Sequence, residues 1–342
     1  MEILTNTSLA GYNTFGIDVQ AARLVHYDSV EELQSLLWQR EREGDTMPLL
    51  HIGGGSNLLF MGDVAATVLH SRIKDIVVTA DEGDNVYVRV GAGVTWDAWV
   101  QYAIDSGWHG LENLSGIPGE VGAAAVQNIG AYGAEAKDAI IYVDTVNLQS
   151  AEVRHFAAGE LDYGYRTSRF KTDLRGRYAV TYVHFRLSHS FKPQLGYGGL
   201  GSTLRERGIA DYDLTPQALR QLVIEIRNSK LPDPAQLGNA GSFFKNPVVE
   251  RDVYSRLAAD YPTLPHYDAG EGRVKIPAAW LIEQAGWKGQ SLGPAAVHDR
   301  QALVLVNRGG ATGADIAALS RRITDDVRTR FGIDIEPEVN FI

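Results

Sequence analysis

The sequence has no cysteine among its 342 residues. That absence excludes disulfides, thiolate metal sites and a cysteine nucleophile, and it fits a reducing compartment. The nine histidines form no His-Glu-x-x-His pattern, so we expect no zinc site. An apolar run of bilayer length and a basic, apolar leader are also missing, and we therefore expect a cytoplasmic protein without a membrane partner.

Positive charge is scarce as well, with 32 Lys and Arg against 42 Asp and Glu and a formal net charge of -10. Since no basic footprint is available, we expect no nucleic-acid partner, although a local cluster of cations could still bind a small anion. The 44% hydrophobic and 22% charged content is typical of globular proteins. The length predicts two or three domains.

Hydrophobic periodicity predicts a mixed α+β fold with a boundary near residue 215. The predicted helices cover residues 28–43, 96–107, 214–232, 277–286 and 312–332. The predicted strands cover residues 48–52, 86–94, 140–156, 178–187 and the alternating tail 333–342. Asp28 and Ser29 are possible caps of the first helix, and Pro277 suits the first turn of the fourth. The last helix is the best marked, because Thr312 and Asp315 form a capping-box start and Gly332 ends it.

The stretch HIGGGSNLLF at 51–60 reads as a strand followed by an anion-binding loop. Glycines let main-chain N–H groups converge on an anion, and Ser56 and Asn57 add side-chain donors. The loop is not a dinucleotide fingerprint, because Leu58 stands at the third glycine position, and no Gly-Lys-Ser/Thr makes it a P-loop. Pyrophosphate binding and a plain strand-exit turn both stay open.

A second glycine-rich stretch, GIPGEVGAAAVQNIGAYG, covers residues 116–133. Its small residues would let a large flat ligand lie against the main chain, while close packing of two backbone segments is the alternative. Two such stretches, each with amide side chains, favour a large phosphate-bearing cofactor.

The segment YGYRTSRFK at 163–171 places Arg166, Arg169 and Lys171 among aromatic residues. Such cations usually form a solvated face, but an arginine here could instead clamp a carboxylate with two hydrogen bonds.

Ser242 lies in GNAGSFFKNP at 238–247, between a glycine and two phenylalanines. The Gly-x-Ser-x-Gly nucleophile elbow is absent, because Ala240 and Phe244 occupy its glycine positions. A turn or cap role and a chemical role for the hydroxyl both remain open at this point.

Taken in order, the motifs of the chain closely resemble those of the UDP-N-acetylenolpyruvoylglucosamine reductase (MurB) family. The resemblance runs from residue 13 to the end, and GNAGSFFKNP together with QNIGAYG is its most specific part. The matching motifs are NTFGID (13–18), GGGSN (53–57), GIPGEVG (116–122), QNIGAYG (127–133), YRTSRFK (165–171), KLPDP (230–234), GNAGSFFKNP (238–247), AAWLIEQAGWKG (278–289) and EPEV (336–339).

The resemblance implies a two-subdomain FAD-binding unit of the vanillyl-alcohol-oxidase type, followed by a C-terminal α/β substrate domain. We place the FAD-binding subdomains at 1–72 and 73–214 and the substrate domain at 215–342. GYGGLGS at 196–202 resembles the tyrosine-bearing insertion of the longer family members.

The implied reaction uses NADPH to reduce FAD and then reduces the enolpyruvyl ether of a UDP-sugar for peptidoglycan synthesis. Hydride from flavin N5 would add to the terminal carbon of the enolpyruvyl group. The resemblance makes Arg166, Ser242 and Glu338 catalytic: the arginine pairs with the carboxylate, the serine supplies the proton, and a protonated Glu338 shares the developing charge. Glu338 has an alternative as one more solvated strand carboxylate beside Asp334 and Glu336.

The resemblance also implies the binding residues and a monomer whose only partners are the UDP-sugar and NADPH. The FAD-binding residues it implies are Gly53, Gly54, Gly55, Ser56, Asn57, Leu58, Ile117, Pro118, Gly119, Gly122, Ala123, Gln127, Asn128, Gly130 and Ala131. The substrate-binding residues it implies are Tyr132, Tyr197, Arg227, Lys230, Asn246 and Gln301. Asn340 stands where many relatives carry a basic residue. The contact that this basic residue would make from the tail is therefore not expected here, while the implied reaction is unaffected.

Two other functions stay open from the sequence. An FAD-dependent oxidase on the same cofactor scaffold would pass electrons to oxygen and need no UDP. A catalytically silent protein that binds a nucleotide sugar would fit if Ser242 were only structural.

Overall fold

The computed structural model describes residues 1–197 and 199–342, so Gly198 of the predicted insertion lies outside the described residues. Its α-helices are α1 (Val30–Glu43), α2 (Trp96–Asp105), α3 (Val121–Gln127), α4 (Leu200–Glu206), α5 (Pro216–Lys230), α6 (Arg251–Asp260), α7 (Ala278–Gln284) and α8 (Gly313–Phe331). Short 3-10 helices cover Ala10–Tyr12, Glu112–Leu114, Ala136–Asp138, Ala158–Glu160, Arg169–Lys171 and Asp211–Asp213.

The strands have between 2 and 11 residues. They are β1 (Glu2–Ser8), β2 (Gln20–Tyr27), β3 (Leu49–Ile52), β4 (Leu58–Leu59), β5 (Val64–Ser71), β6 (Ile76–Glu82), β7 (Asn85–Gly91), β8 (Gly130–Ala131), β9 (Ala134–Glu135), β10 (Ile140–Asn147), β11 (Val153–Ala157), β12 (Tyr178–Ser188), β13 (Gly238–Ser242), β14 (Val248–Glu250), β15 (Tyr267–Asp268), β16 (Arg273–Lys275), β17 (Ser291–Leu292), β18 (Ala295–Val297), β19 (Val304–Asn307) and β20 (Asn340–Phe341).

The chain forms two compact units. Unit 1 contains Met1–Thr7, Ala21–Gly54 and Ala65–Arg227, and unit 2 contains Ser8–Gln20, Gly55–Val64 and Asn228–Ile342. These units are defined by contacts, whereas the predicted division at 72 and 214 concerns which segments bind cofactor and substrate. That division stays a prediction.

Unit 1 is built on two sheets. The strand orders are β1-β2-β5-β3, where β3 pairs parallel with β5, and β11-β10-β12-β7-β6, where every pair is antiparallel. Helices α2 and α3 cover the second sheet, and Trp96, Trp99 and Phe185 are fully buried in its core. The indole N–H of Trp96 donates to Leu114 O at 3.0 Å, which satisfies the polar atom of this buried ring.

Unit 2 is built on the antiparallel sheet β13-β19-β18-β17, against which α8 packs. Phe243 and Phe244 follow β13 and are buried, and the Phe243 ring lies edge-on to Phe15 and Phe341 at centroid distances of 6.3 and 6.1 Å. In the tail, Ile335 is buried as its alternation predicts, but Phe341 keeps 39% of its surface exposed.

The predicted helix caps agree with the structure. Ser29 accepts from Glu32 N at the start of α1, and Thr312 and Asp315 form a complete capping box at the start of α8. Pro277, predicted in the first turn of its helix, is instead the N-cap residue of α7. In the part of the chain that the structure describes, no helix has both the length and the apolar surface to cross a membrane.

The α8 cap gives a stability test. Thr312 Oγ1 accepts from Asp315 N at 3.2 Å, so Thr312→Ala leaves that N–H without its partner. We expect Thr312→Ala to lower the free energy of unfolding by about 1 kcal/mol, and Thr312→Ser to stay near wild type. Urea denaturation followed by circular dichroism measures both. Equal midpoints for the alanine and wild-type proteins would contradict a stabilising cap.

Candidate active site

In unit 1, the first two loop glycines lie against the start of the second glycine-rich stretch. A Cβ on Gly53 would stand 3.1 Å from Ala123 Cβ and 3.2 Å from Glu120 Oε2. A Cβ on Gly54 would stand 3.7 Å from Gly119 Cα. The main chain of the first loop therefore packs against Gly119, Glu120 and Ala123 of the second stretch. A glycine-lined cradle of this kind fits a phosphate-bearing cofactor that main-chain N–H groups contact.

Glu120, beside this cradle, is paired with a histidine that sequence reasoning missed. Its Oε1 lies 2.9 Å from His70 Nε2, and His70 Nδ1 lies 3.2 Å from His26 Nδ1. Burial lowers the pKa of His26 to about 4, so this ring is neutral at neutral pH. No spacing signal could reveal the pairing, because His70 precedes Glu120 by fifty residues.

Several residues of GIPGEVG, predicted as cofactor ligands, also have packing roles in the protein. Gly119 O accepts from Trp96 N at 2.9 Å, and Gly122 N donates to Ala92 O at 3.0 Å. A Cβ on Gly122 would stand 2.8 Å from Ala92 Cβ, so close packing explains this glycine. Ile117 packs against the core of the five-stranded sheet, next in sequence to Pro118.

The predicted arginine segment is joined to the predicted cofactor segment in unit 1. Residues 164–171 and 126–130 exchange four hydrogen bonds, most of them from side chain to main chain. These bonds run from Asn128 Nδ2 to Gly164 O (2.9 Å), from Ser168 Oγ to Val126 O (2.7 Å), from Lys171 Nζ to Gln127 Oε1 and from Arg166 Nη2 to Gly130 O. Lys171 thus has a positioning role for Gln127.

Arg166 occupies the tip of a tight hairpin. Gly164 and Thr167 exchange both main-chain hydrogen bonds, at 3.1 and 3.2 Å, and the intervening Arg166 has φ 57°. A non-glycine residue in this region costs roughly 1–3 kcal/mol, a cost that proteins tend to bear at functional sites. A Cβ on Gly130 would stand 2.8 Å from Arg166 Nη1, so this glycine makes room for the guanidinium.

The amide pair of the second stretch is buried, with Gln127 8% and Asn128 0% exposed. Besides Gly164, the Asn128 side chain binds Glu135 Oε2 at 3.1 Å and accepts from Lys137 N at 3.1 Å. Since these partners use the Asn128 side chain, a cofactor contact at this residue would come from its main chain. Ala131 in β8 has no polar side-chain atom, so a polar contact of this residue with the cofactor would also come from its main chain.

Arg227 lies at the end of α5 next to the second glycine-rich stretch. Its Nε donates to Gly116 O at 3.2 Å. Burial lowers the pKa of Arg227, and the charge of Arg166 lowers it further, whereas Tyr132 and Asp97 oppose that change. Arg166, Arg227 and Tyr132 therefore interact electrostatically within unit 1, which gives this region a local excess of positive charge.

The two predicted tyrosines lie near one another. A Cβ on Gly133 would stand 3.1 Å from Tyr197 Cβ, so the Tyr197 loop reaches the QNIGAYG segment. Asn113 Nδ2 donates to Tyr132 O and to Gln194 O, both at 2.8 Å, and so joins the two segments. Asn113 is a positioning residue that the sequence analysis did not single out.

In unit 2, glycines again bring main-chain segments together. Gly55 has φ 67°, and a Cβ there would overlap the carbonyl of Tyr12. A Cβ on Gly238 would overlap the carbonyl of Phe15. The motifs GGGSN, NTFGID and GNAGSFF are thus in contact through this part of the chain.

The tail completes the unit 2 site. Glu338 N donates to Phe243 O at 2.7 Å, which places Glu338 beside the residue that follows Ser242. Asn57 Nδ2 donates to Glu338 O at 3.3 Å, while Asn340 donates to Asn57 O from its main chain at 3.0 Å and from its side chain at 3.1 Å. Asn340 therefore holds the GGGSN loop.

Glu338 differs from its neighbours in burial. The side chains of Asp334 and Glu336 are 68% and 78% exposed, whereas Glu338 is only partly exposed. This difference favours a site role over the alternative of a solvated carboxylate. Ser242 is exposed at the end of β13.

The remaining predicted substrate residues lie in unit 2. Lys230 is exposed at the end of α5. Asn246 Oδ1 accepts from Ala278 N at 2.9 Å, so its oxygen serves α7 and only its N–H₂ group stays available for substrate. Gln301 O accepts from Val304 N at 3.0 Å, directly beside the strand that pairs with Ser242. Among the described residues there is no group of three or more His, Asp or Glu side chains that could hold a metal ion.

Comparison with known proteins agrees with these motifs. Residues 21–157 match the family model "FAD binding domain", and residues 233–342 match "UDP-N-acetylenolpyruvoylglucosamine reductase, C-terminal domain". A UDP-N-acetylenolpyruvoylglucosamine reductase of Bacteroides fragilis is 54% identical over 98% of both chains. One from Burkholderia multivorans is 48% identical over 99% of this chain and 96% of that one.

The fold agrees as well. The crystal structure of the Thermus caldophilus enzyme (MurB) matches with a TM-score of 0.66 at 25% identity, over 99% of this chain and 98% of that one. A solvent-stable cholesterol oxidase matches with a TM-score of 0.50 at 12% identity, which is a likeness of fold alone. With near-full-length identity of about one half to curated relatives, this chain belongs to the UDP-N-acetylenolpyruvoylglucosamine reductase (MurB) family of FAD-binding oxidoreductases.

Proposed function

We propose that this enzyme reduces UDP-N-acetylglucosamine enolpyruvate to UDP-N-acetylmuramate, with NADPH as the source of electrons. The observation that carries the proposal is the 2.7 Å hydrogen bond from Glu338 N to Phe243 O. It holds one proposed catalytic residue beside Phe243, the residue that follows Ser242, and so joins the motifs EPEV and GNAGSFFKNP. The enzyme would act in the cytoplasm as a monomer.

The glycine cradle fits FAD, whose binding belongs to the family. Residues 53–58, 117–119, 122–123, 127–128 and 130–131 are the proposed ligands. FAD, when bound, supplies the hydride that adds to the terminal carbon of the enolpyruvyl group. Everything else in the step falls to the side chains of this chain: binding the substrate carboxylate, stabilising charge and delivering one proton.

Arg166 is the proposed partner of the substrate carboxylate. The carbon next to that carboxylate gains carbanion character after hydride addition, and a guanidinium stabilises the charge that spreads onto the oxygens. The hairpin and the bond to Gly130 O hold Arg166 before substrate arrives. That preorganisation reduces the reorganisation needed during the reaction.

Ser242 is the proposed proton donor to the same carbon. A serine is a weak acid, but a carbanion is a strong base, so a compact and well-placed hydroxyl suffices. Glu338 is proposed to donate a hydrogen bond to the substrate as the charge develops. The UDP-sugar is proposed to contact Tyr132, Tyr197, Arg227, Lys230, Asn246 and Gln301.

Replacing the proton donor should separate the two half-reactions. Ser242→Ala should leave flavin reduction by NADPH within about twofold of wild type, because no proton from Ser242 is used there. Reoxidation by the enolpyruvyl sugar should fall by roughly 100-fold or more. Anaerobic stopped-flow absorbance of the flavin measures both rates.

Ser255, exposed on α6, is the matched control. Ser255→Ala should change neither half-reaction. Normal reoxidation in Ser242→Ala would remove Ser242 from the catalytic residues. A wild-type protein that is reoxidised by air as fast as by the sugar would instead favour an oxidase.

The proposed role of Arg166 can be tested by a substitution that keeps the positive charge and removes the planar guanidinium. Arg166→Lys should slow reoxidation by the enolpyruvyl sugar roughly 100-fold, because a lysine cannot make two parallel hydrogen bonds to a carboxylate. The exposed Arg175 provides the control, Arg175→Lys. A reoxidation rate for Arg166→Lys equal to that of the control would show that Arg166 does not bind the reacting carboxylate.

A further inference from the structure

Asp97 is a residue to which neither the motifs nor the family match gives a role. It lies in the first turn of α2, and its partners come from two distant segments. Its Oδ1 accepts from Gly116 N and from Arg220 Nη1, both at 2.6 Å, while Oδ2 accepts from Arg220 Nη2 at 2.8 Å. The carboxylate therefore makes a bidentate pair with an arginine of α5 and also holds the first glycine of GIPG.

All three guanidinium nitrogens of Arg220 donate hydrogen bonds. Besides the two bonds to Asp97, its Nε donates to Gln101 Oε1 at 2.5 Å, and its side chain is only 11% exposed. Gln101 lies one helical turn after Asp97 on the same helix. The side chains of α2 thus fix the position of α5 through one arginine.

Arg227 lies two helical turns after Arg220, on the same face of α5. While Asp97 holds Gly116 N, Arg227 Nε donates to Gly116 O at 3.2 Å. A Cβ on Gly116 would stand 3.4 Å from both Arg227 Nε and Ile224 Cγ1. The main chain of Gly116 therefore makes hydrogen bonds to side chains of both helices, through its N–H to Asp97 of α2 and through its carbonyl to Arg227 of α5.

The electrostatic interactions of Arg227 also link it to Asp97. Arg227 is close enough to Arg166 for mutual repulsion, and Asp97 is the acidic side chain that opposes this repulsion at Arg227. Burial alone would raise the pKa of Asp97, but hydrogen bonds from Arg220 and Gly116 outweigh it, so the carboxylate stays charged. Asp97, already paired with Arg220, offsets the charge of Arg227 only in part, so the region keeps an excess of positive charge for an anionic ligand.

We propose that the Asp97–Arg220 pair is a positioning device that orients Arg227 and the GIPG loop for the anionic UDP-sugar. This inference rests on the proposed function, because it takes the UDP-sugar as the ligand of Arg227. Asp97 acts through Gly116 and Arg220, so its loss affects substrate binding more than reduction of the flavin.

The test is Asp97→Asn, which keeps the shape of the side chain and removes its charge. We expect KM for the enolpyruvyl sugar to rise roughly tenfold to a hundredfold. Flavin reduction by NADPH should stay within about twofold of wild type. Calorimetric binding of UDP-N-acetylmuramate, the proposed product, should weaken by a similar factor, which gives a readout independent of turnover.

Asp260, exposed at the end of α6, offers a matched control, because Asp260→Asn makes the same change outside the contacts of Asp97, Gln101 and Arg220. We expect its KM and binding to equal those of wild type. Asp97→Glu should recover part of the affinity, since it restores the charge.

Arg220→Lys keeps the charge and breaks the bidentate geometry, so it serves if Asp97→Asn does not fold. It should raise KM in the same range, and the double variant should be no worse than the more impaired single one. Unchanged KM and product binding in a folded Asp97→Asn or Arg220→Lys enzyme overturns the inference. A wild-type protein that neither binds nor turns over the UDP-sugar overturns the proposed function instead.

Discussion

Close approach of neighbouring segments at positions without a Cβ is the constraint on which both units depend. In unit 1, Gly130 makes room for the guanidinium of Arg166, and Gly53 lets the first loop approach Ala123. In unit 2, Gly55 and Gly238 allow the same approach to the chain around Tyr12 and Phe15. An alanine at Gly55 or Gly238 would overlap a carbonyl group and push the segments apart. The glycines of these motifs are therefore needed for packing before any ligand binds.

The polar contacts build on these approaches in a consistent way. In unit 1 the side chains of Asn128, Ser168 and Lys171 tie the arginine hairpin to the segment that precedes Gly130. In unit 2 Asn57 and Asn340 tie the GGGSN loop to the tail. Asn128, Ser168, Asn57 and Asn340 bind main-chain oxygens through an amide or a hydroxyl, while Lys171 binds the side-chain oxygen of Gln127. Such bonds fix backbone positions, and backbone positions determine where the functional side chains lie.

Local patterns predicted much of the fold. The caps at Ser29 and Thr312 gave the starts of two helices because a cap and its N–H partner lie within three residues. The strand predicted over 86–94 ends already at Gly91, because a turn follows in which Val94 N donates to Gly91 O at 3.1 Å. The membership of unit 2, which draws on residues 8–20 and 55–64, depends on distant contacts that periodicity cannot show.

The candidate site shows the same contrast between residues that local motifs indicate and pairs that depend on distant contacts. Motif resemblance gave Arg166, Ser242 and Glu338 as proposed catalytic residues, whereas no sequence pattern pointed to the pairs Asp97–Arg220 and His70–Glu120. Asp97 reads locally as an ordinary acidic residue in the first turn of a helix, and its partner is 123 residues away. Asn128 shows the opposite case: its place in a motif suggested a ligand, but its side chain is fully used by the protein.

The most direct test of the central claim is a visible absorption spectrum of the purified enzyme during anaerobic titration. We predict a flavin spectrum that bleaches on addition of NADPH and recovers when UDP-N-acetylglucosamine enolpyruvate is added. Recovery with air alone, and none with the sugar, would contradict a reductase of this substrate. A colourless protein that cannot be reconstituted with FAD would contradict the flavin chemistry altogether.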